Sequence, residues 1–280
     1  LLSVVIHWAY YITLAHAYRT GDLSFAYPLM RGTAPLIATL LSIVLLREFP
    51  TPQVALGIVL ICAGIVGIAF VGRNPHPRAA VLFAAAAFIA GTLFGSIAVL
   101  IDPANGERLI PPDFFSESPR ERVEKIERNE ERIDDVEKAL VFGASLYTHN
   151  IKVAFLAFSL GALTILLGVV ILFYNGVILG AVGTMYVLDD VSVFFFAWVG
   201  PHGALELPAI IFGGAAGLVV GRALLMPGDL SRGASLRRVL PSVWRMIIGA
   251  CLTLVLAGLI EGSFSQFSAK TIPYALKIAV

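Results

Sequence analysis

Two ionisable residues, His202 and Glu206, lie within residues 198–208 between apolar runs and are the first candidates for chemistry in this sequence. An aromatic run precedes them, and a glycine-rich apolar run follows at 209–225. If Pro201 opens a helix, the imidazole and carboxyl groups are four residues apart and share one face. Because burying such groups without a partner or water is unfavourable, the pair predicts a functional or structural site.

The chemistry available to this pair is limited. Their spacing suits metal ligands on a helix, but a zinc peptidase also needs a third ligand and a general base, as in His-Glu-x-x-His. No Ser, His and Asp residues are placed as a triad, and no glycine-rich loop has a phosphate-binding context. Cys62 and Cys251 lie in apolar runs, where cysteine behaves as a small apolar residue. The sequence therefore predicts a non-enzymatic protein with no catalytic residues, no metal and no cofactor.

Composition places the pair in a membrane. Hydrophobic residues make up 58% of the 280 and charged residues 14%, with a mean hydropathy of +0.86. These values are typical of an integral membrane protein, so a lipid bilayer is the first expected partner. The net charge of +1 hides an asymmetry, because residues 102–140 hold twelve acidic and seven basic residues and the remainder carries +6. No tract is typical of nucleic-acid binding.

The fold class predicted from the apolar runs is all-α, a polytopic membrane protein with about eight transmembrane helices. The runs are residues 1–17, 27–46, 54–72, 79–101, 151–174, 176–188, 204–225 and 239–260. Most approach the ~20 residues that a bilayer needs. The run at 176–188 is short, and the aromatic stretch 191–199 either completes it or forms a re-entrant piece.

Charges in the short loops predict the orientation. The arginines are Arg19 before the second segment, Arg73 and Arg78 between the third and fourth, and Arg222, Arg232, Arg237 and Arg238 between the seventh and eighth. These loops share one side in an eight-segment alternation, and the excess of positive charge makes that side cytoplasmic. We therefore predict a multi-pass protein of the plasma membrane whose acidic loop 102–140 and C-terminal tail are extracytoplasmic.

One extracytoplasmic amphipathic helix is predicted over about 118–140. Ser118 and Glu121 have the spacing of a capping box, with Pro119 at the first helical position. The apolar stripe comprises Val123, Ile126, Ile133, Val136 and Leu140. The charge pairs four residues apart are Glu121 with Lys125, Glu124 with Arg128, and Asp134 with Lys138. The helix either lies solvated against the membrane domain or forms a docking surface for an external partner.

Span order brings four polar residues toward one leaflet. They are Asn150, His202, Glu206 and Glu261. One interpretation is a polar cluster that fixes helix packing; the other is a proton relay or an outward ligand site. Glycines at fourfold spacing, such as Gly213 and Gly217, indicate close helix contacts within the bundle and leave homo-oligomerisation open.

Residues 8–72 resemble the closing part of an EamA-type drug/metabolite transporter repeat. The resemblance rests on Tyr18-Arg19-Thr20-Gly21-Asp22, on Tyr27-Pro28-Leu29-Met30-Arg31 and on Leu45-Leu46-Arg47-Glu48. About three of that family's five helices are present. Tyr27 and Arg31, four residues apart, are candidates for a substrate path in an intact transporter, or Arg31 extends its side chain to the headgroups.

Residues from about 79 onward resemble the stage II sporulation protein M family over a longer stretch. The carrying residues include Pro111-Pro112-Asp113, His149-Asn150-Ile151-Lys152, Asn175-Gly176, Pro201-His202-Gly203 with Glu206, Gly213 and Gly217, and Ile260-Glu261-Gly262. Members often have a second asparagine where this chain has His149. The resemblance implies five spans and a membrane component that works beside peptidoglycan hydrolases.

Three parts are therefore expected: a transporter-like segment at 1–72, a joint at 73–78 and a sporulation-type membrane domain at 79–280. The joint is either a linker in a fusion or a junction between two reading frames. The chain opens Leu-Leu-Ser without methionine or a basic region, so we predict no signal peptide and expect truncation at its start. The leading functional hypothesis is an organiser of extracytoplasmic cell-wall partners, and the alternative is a transporter or permease component.

Overall fold

The computed structural model describes residues 77–111, 117–128, 136–260 and 273–279, and side chains are described throughout except at 136–147, 276, 278 and 279. The chain divides into two compact units, Leu1–Pro75 and His76–Val280, and the described residues belong to the second. The expected segments 1–17, 27–46 and 54–72, most of the joint, Tyr27, Arg31 and Glu261 lie outside the described residues. The domain boundaries stay a prediction.

Every element in the described ranges is an α-helix. In chain order they are α1 (Pro77–Ile101), α2 (Asn105–Leu109), α3 (Pro119–Arg128), α4 (Val136–Leu163), α5 (Ile165–Leu188), α6 (Ser192–Leu225), α7 (Arg232–Ile260) and α8 (Tyr274–Ala279). Four of them, α1, α5, α6 and α7, are long and apolar enough to cross a membrane. The all-α membrane class is confirmed, whereas the count of about eight transmembrane helices is not supported.

The expected segments 151–174 and 176–188 are wrong in their boundaries, because the chain breaks at Thr164. Thr164 has an extended backbone (φ −147°, ψ 135°), and its side chain accepts a hydrogen bond from the Leu167 N–H at 3.1 Å. This N-cap ends α4 and starts α5. A threonine in an apolar run barely alters hydropathy, so the break is invisible to the hydropathy pattern.

The expectation that Pro201 opens a helix is also wrong. Helix α6 begins at Ser192 and contains both Pro201 and Pro208, so the aromatic stretch 191–199 is its first part and neither completes α5 nor forms a re-entrant piece. Prolines are tolerated within membrane helices because neighbouring groups replace the lost backbone bond. His202 and Glu206 still lie one turn apart on α6.

Close backbone contacts fix the pairing of the long helices. A β-carbon built on Gly176 of α5 would lie 2.0 Å from the Phe88 carbonyl oxygen of α1, and one on Gly95 would lie 2.2 Å from the Val177 oxygen. Gly91 meets Phe173 and Gly95 meets Val177, so the contacts advance by four residues on both helices and α1 and α5 run in parallel. Small residues at these positions let the two backbones approach.

Helices α4 and α6 pair in the same way. A β-carbon on Gly213 would lie 3.0 Å from the Ala154 oxygen, and one on Gly217 would lie 2.3 Å from the Phe158 oxygen. These contacts advance together along both helices, so α4 and α6 are parallel. Their N-terminal ends lie beside the α5–α6 turn at residues 189–191, which we call the turn end of the bundle. The opposite end carries the loop between α6 and α7.

The capping box at the start of α3 is confirmed. The Ser118 backbone N–H donates to Glu121 Oε2 at 3.0 Å, and the Glu121 N–H donates to Ser118 Oγ at 3.3 Å. Hydrogen bonds from the backbone and the side chain of Ser118 to the Glu121 carboxyl group lower its pKa below the ordinary value. Of the helix expected over 118–140, α3 covers Pro119–Arg128 and residues 136–140 lie in α4, whereas residues 129–135 lie outside the described residues.

Replacing Gly176 with alanine should destabilise the protein, because the added methyl group would collide with the α1 backbone. We expect a loss of about 1–3 kcal/mol, which thermal unfolding in detergent would detect. Gly249 is the matched control: it also lies inside a helix, but a β-carbon there meets nothing within 4 Å. Gly249→Ala should be neutral or stabilising by up to ~1 kcal/mol. Equal effects at both positions would contradict the close contact.

Candidate functional site

The parallel contact of α4 and α6 brings Asn150 against Glu206. The Asn150 side-chain amide donates a hydrogen bond to the Glu206 carboxyl group. Glu206 is only 5% exposed, and its oxygen Oε1 is buried with no hydrogen-bond partner. The carboxyl group is therefore held on one side by an amide and left unsatisfied on the other. Two of the four residues expected in the polar cluster are thus in contact.

His202 lies one turn nearer to the turn end on the same helix. It is 4% exposed, and its ring meets the Trp198 ring edge-on with centroids 6.4 Å apart. Trp198, His202 and Glu206 are spaced four residues apart, so they share one face of α6. The histidine thus separates an aromatic residue from a buried carboxyl group.

An aromatic cluster covers the first turns of α6. Its buried members are Val123, Tyr186, Phe194 and Phe195, with Ile126, Trp198 and Tyr274 among the residues packed on them. Val123 and Ile126 come from α3, so the apolar side of this helix is used within the protein. The guanidinium carbon of Arg122 lies 4.5 Å from the centroid of the Trp198 ring, which is a cation–π contact.

Arg120 fastens α3 to the α5–α6 turn. Its backbone N–H donates to Asp189 Oδ2 at 3.1 Å, and its Nη2 donates to the Asp189 carbonyl at 2.7 Å. The same Nη2 lies 3.4 Å from Asp190 Oδ2. Asp190 adopts a positive φ of 59°, which an aspartate tolerates better than most residues. Arg120 Nε also donates to the Asp189 carbonyl at 3.1 Å, so four hydrogen bonds from one arginine hold the beginning of α3 at the turn end.

The short helix α8 adds a second attachment. The Tyr274 hydroxyl donates to Glu127 Oε1 at 3.0 Å, and the Tyr274 ring meets Phe194 edge-on at 5.9 Å. Burial and the neighbouring Glu127 raise the pKa of Tyr274. Lys277 of α8 is 3% exposed, and burial lowers its pKa to about 8. Helices α3 and α8 together cover the aromatic cluster.

The other residues singled out in the sequence lie elsewhere. Glu261 is outside the described residues. Asn175 donates to the Ile171 carbonyl of its own helix at 2.8 Å, and Gly176 contacts α1. Pro201 is buried within α6, and a β-carbon on Gly203 would lie 3.0 Å from the Val199 side chain of the same helix. Gly213 and Gly217 form the α4 contact already described.

The sequence analysis missed Arg120, Arg122 and Trp198. Trp198 lies four residues before His202, and this spacing could have indicated that the two side chains share a helix face. The stretch 198–208 begins with Trp198, but no role was assigned to this residue. Arg120 and Arg122 carry no local signal, since their partners are 69 to 76 positions away. Within the described ranges, no group of three or more His, Cys, Asp or Glu residues could hold a metal ion.

The Asn150–Glu206 contact should appear as a coupling free energy. We expect the effects of Asn150→Ala and Glu206→Ala on the free energy of unfolding to be non-additive by about 1 kcal/mol, as for hydrogen bonds between membrane helices. Asn175→Ala combined with Glu206→Ala is the control, because Asn175 is bonded within α5. Additivity for both pairs, measured by unfolding in mixed micelles, would contradict the contact.

Comparison with known proteins gives one match. The family model described as Stage II sporulation protein M matches residues 80–266, which is more than half of the chain. This range extends from the first turn of α1 to beyond the end of α7 and includes Asn150, His202 and Glu206. No curated protein matches the chain, and no solved structure matches it. The chain therefore belongs to the stage II sporulation protein M family.

Proposed function

We propose that this protein is a non-enzymatic membrane component that organises extracytoplasmic proteins, with peptidoglycan hydrolases as the class of partner. The observation that carries this proposal is the arrangement of α3. Its apolar side, with Val123 and Ile126, packs on the bundle, while its charged side remains exposed at the turn end. A charged helix fixed to a rigid bundle is a suitable platform for a protein partner.

The exposed side of α3 is defined by Glu124 and Arg128. They form an i,i+4 ion pair, and their side chains are 50% and 63% exposed. Neither side chain is among the residues that attach α3 to the bundle. Residues 102–140 also carry an excess of acidic residues in the sequence. A partner with a complementary basic surface fits this composition.

The orientation proposed for the bundle places the turn end outside. The loop between α6 and α7 and its flanks carry Arg222, Arg232, Arg237 and Arg238, and such arginine-rich ends face the cytoplasm. The turn end lies at the other end of α6, next to α3. This orientation exposes α3 to partners in the cell envelope, as expected for family members that work beside cell-wall hydrolases.

The transporter alternative has less support. The EamA-like segment lies outside the described residues, and the family match begins at residue 80. The described helices therefore provide no support for Tyr27 and Arg31 as residues of a substrate path. The buried Glu206 alone does not define a path for a solute.

Cysteine labelling tests the orientation. In a variant with Cys62 and Cys251 replaced by serine, Glu124→Cys should react in intact cells with a maleimide that does not cross membranes. Asp229→Cys, in the loop between α6 and α7, should react only after the membrane is permeabilised. The reverse pattern would contradict the proposed orientation.

A charge exchange tests the platform. Combining Glu124→Arg with Arg128→Glu keeps an ion pair on the same two positions but reverses the charges that α3 presents. We expect thermal stability to be nearly unchanged, whereas co-purification of the cell's peptidoglycan hydrolases should fall at least severalfold. Quantitative mass spectrometry of the purified complex would measure this.

A photo-crosslinking amino acid at position 124 tests independently whether α3 contacts a protein partner. It should capture an envelope protein in living cells, whereas the same residue at position 93, a lipid-facing leucine of α1 that is 58% exposed, should not. An unchanged hydrolase set after the charge exchange, together with no protein captured at position 124, would refute the platform.

A further inference from the structure

The buried carboxyl group of Glu206 has an unmet bonding requirement. Its Oε1 is enclosed within the bundle without a hydrogen-bond partner, while the group accepts a bond from the Asn150 amide. An ionised carboxylate with a bare oxygen is strongly unfavourable in an apolar interior, because no donor replaces the lost water. The group therefore requires a ligand that supplies positive charge or a donor at Oε1.

A proton is the ligand that fits this position. A proton on Oε1 removes the negative charge and leaves the other oxygen as the acceptor for Asn150. A divalent metal would need further ligands, and in the part of the chain that the structure describes no cluster of three metal-binding side chains exists. A monovalent cation would need several oxygen ligands as well, and Asn150 is the side chain shown bonded to Glu206.

We propose that Glu206 is a proton-binding site and that docking of α3 controls the exchange of its proton with water. When α3 lifts from the turn end, water reaches the carboxyl group, and the proton on Oε1 passes to a water molecule. The carboxylate that remains keeps the Asn150 hydrogen bond and accepts new bonds from water. When α3 docks again, water is excluded and the carboxylate takes up a proton.

The geometry of α6 supports this control. Trp198, His202 and Glu206 occupy successive turns, so Trp198 lies about 12 Å along the helix axis from Glu206 on the side of the turn end. Arg122 of α3 covers the Trp198 ring, and the four hydrogen bonds of Arg120 hold α3 in this position. Removing Arg122 uncovers the Trp198 ring, which lies two turns of α6 from the buried carboxyl group.

Other ionisable groups around α6 do not compensate Glu206. The Glu206 carboxyl group is buried, and its described polar neighbour is the Asn150 amide, which carries no charge. Helix α5 carries no charged residue. Ionisable side chains on α6 and on the helices packed against it include His202 and Arg222 on α6, His149 and Lys152 beside Asn150 on α4, Lys277 on α8 and Arg78 at the start of α1. They also include Glu137 and Lys138 near the start of α4, Arg120, Glu121, Arg122, Glu124, Lys125, Glu127 and Arg128 on α3, and Arg232, Arg237, Arg238 and Arg245 on α7. Arg245 donates to Ser242 on its own helix.

Infrared spectroscopy of the full chain in lipid nanodiscs tests the binding site. At neutral pH the wild-type protein should show a carbonyl stretch of a protonated carboxylic acid that Glu206→Gln lacks. Asn150→Ala should keep the band but shift it to higher frequency, because the carbonyl loses its hydrogen bond. Glu206→Asp, which keeps a carboxyl group, should retain a shifted band and serves if the glutamine variant does not fold.

Sodium chloride is the second variable in the same experiment. A band that disappears on adding sodium at constant pH would identify a monovalent cation as the occupant and overturn the proposal. Absence of any band that depends on position 206 would overturn it too.

Exchange in deuterated water tests the control by α3. The band should shift as the acid proton is replaced by deuterium, and Arg122→Ala should accelerate this shift about tenfold, in line with the strength of a partly buried cation–π contact. Arg128→Ala is the matched control on the same helix, because Arg128 contacts only Glu124 among the ion pairs of α3. Equal exchange rates in the two variants would refute control by α3.

Discussion

The close approach of α4 and α6 is the constraint on which the candidate site depends. Gly213 and Gly217 let the α6 backbone lie against the carbonyl oxygens of Ala154 and Phe158, so the two helices can hold only one register. That register places Asn150 beside Glu206 on α6. A larger residue at either glycine would separate the helices and remove Asn150, the donor that the described residues provide for the carboxyl group. Small residues thus position the polar ones in this bundle.

The second level of organisation is the cover at the turn end. Helix α3 is strongly charged, yet Val123 and Ile126 give it an apolar side, and Arg120 bonds it to the α5–α6 turn. Exposed ion pairs contribute little to stability, so docking depends on the aromatic cluster and on the arginine contacts with backbone. The same helix therefore belongs to the bundle on one side and faces solvent on the other. Its apolar side holds the helix on the bundle, and its charged side is available to solvent.

Much of this organisation could be predicted from the sequence, and the errors have physical causes. Composition indicated a helical membrane protein, the capping box at Ser118 was located correctly, and His202 and Glu206 do share one buried face. The helix boundary at Thr164 was not recognised, because an N-cap acts through backbone geometry and leaves hydropathy unchanged. Pro201 was expected to open a helix, but it lies inside α6. Contacts such as Arg122 with Trp198 join distant positions, and no local pattern encodes them. The sequence patterns located the buried polar residues, but they did not reveal the distant residues that these side chains contact.

The two prolines inside α6 have a mechanical consequence. Proline has no backbone N–H, so Pro201 and Pro208 cannot donate to the carbonyls of Ala197 and Ala204, and the helix lacks two of its axial bonds within a span of two turns. A helix bends most easily where such bonds are missing. His202 and Glu206 lie between these two points, so bending of α6 would swing the aromatic and glycine-rich halves while the buried pair stayed near the pivot. The polar residues thus occupy the part of α6 that moves least when the helix flexes.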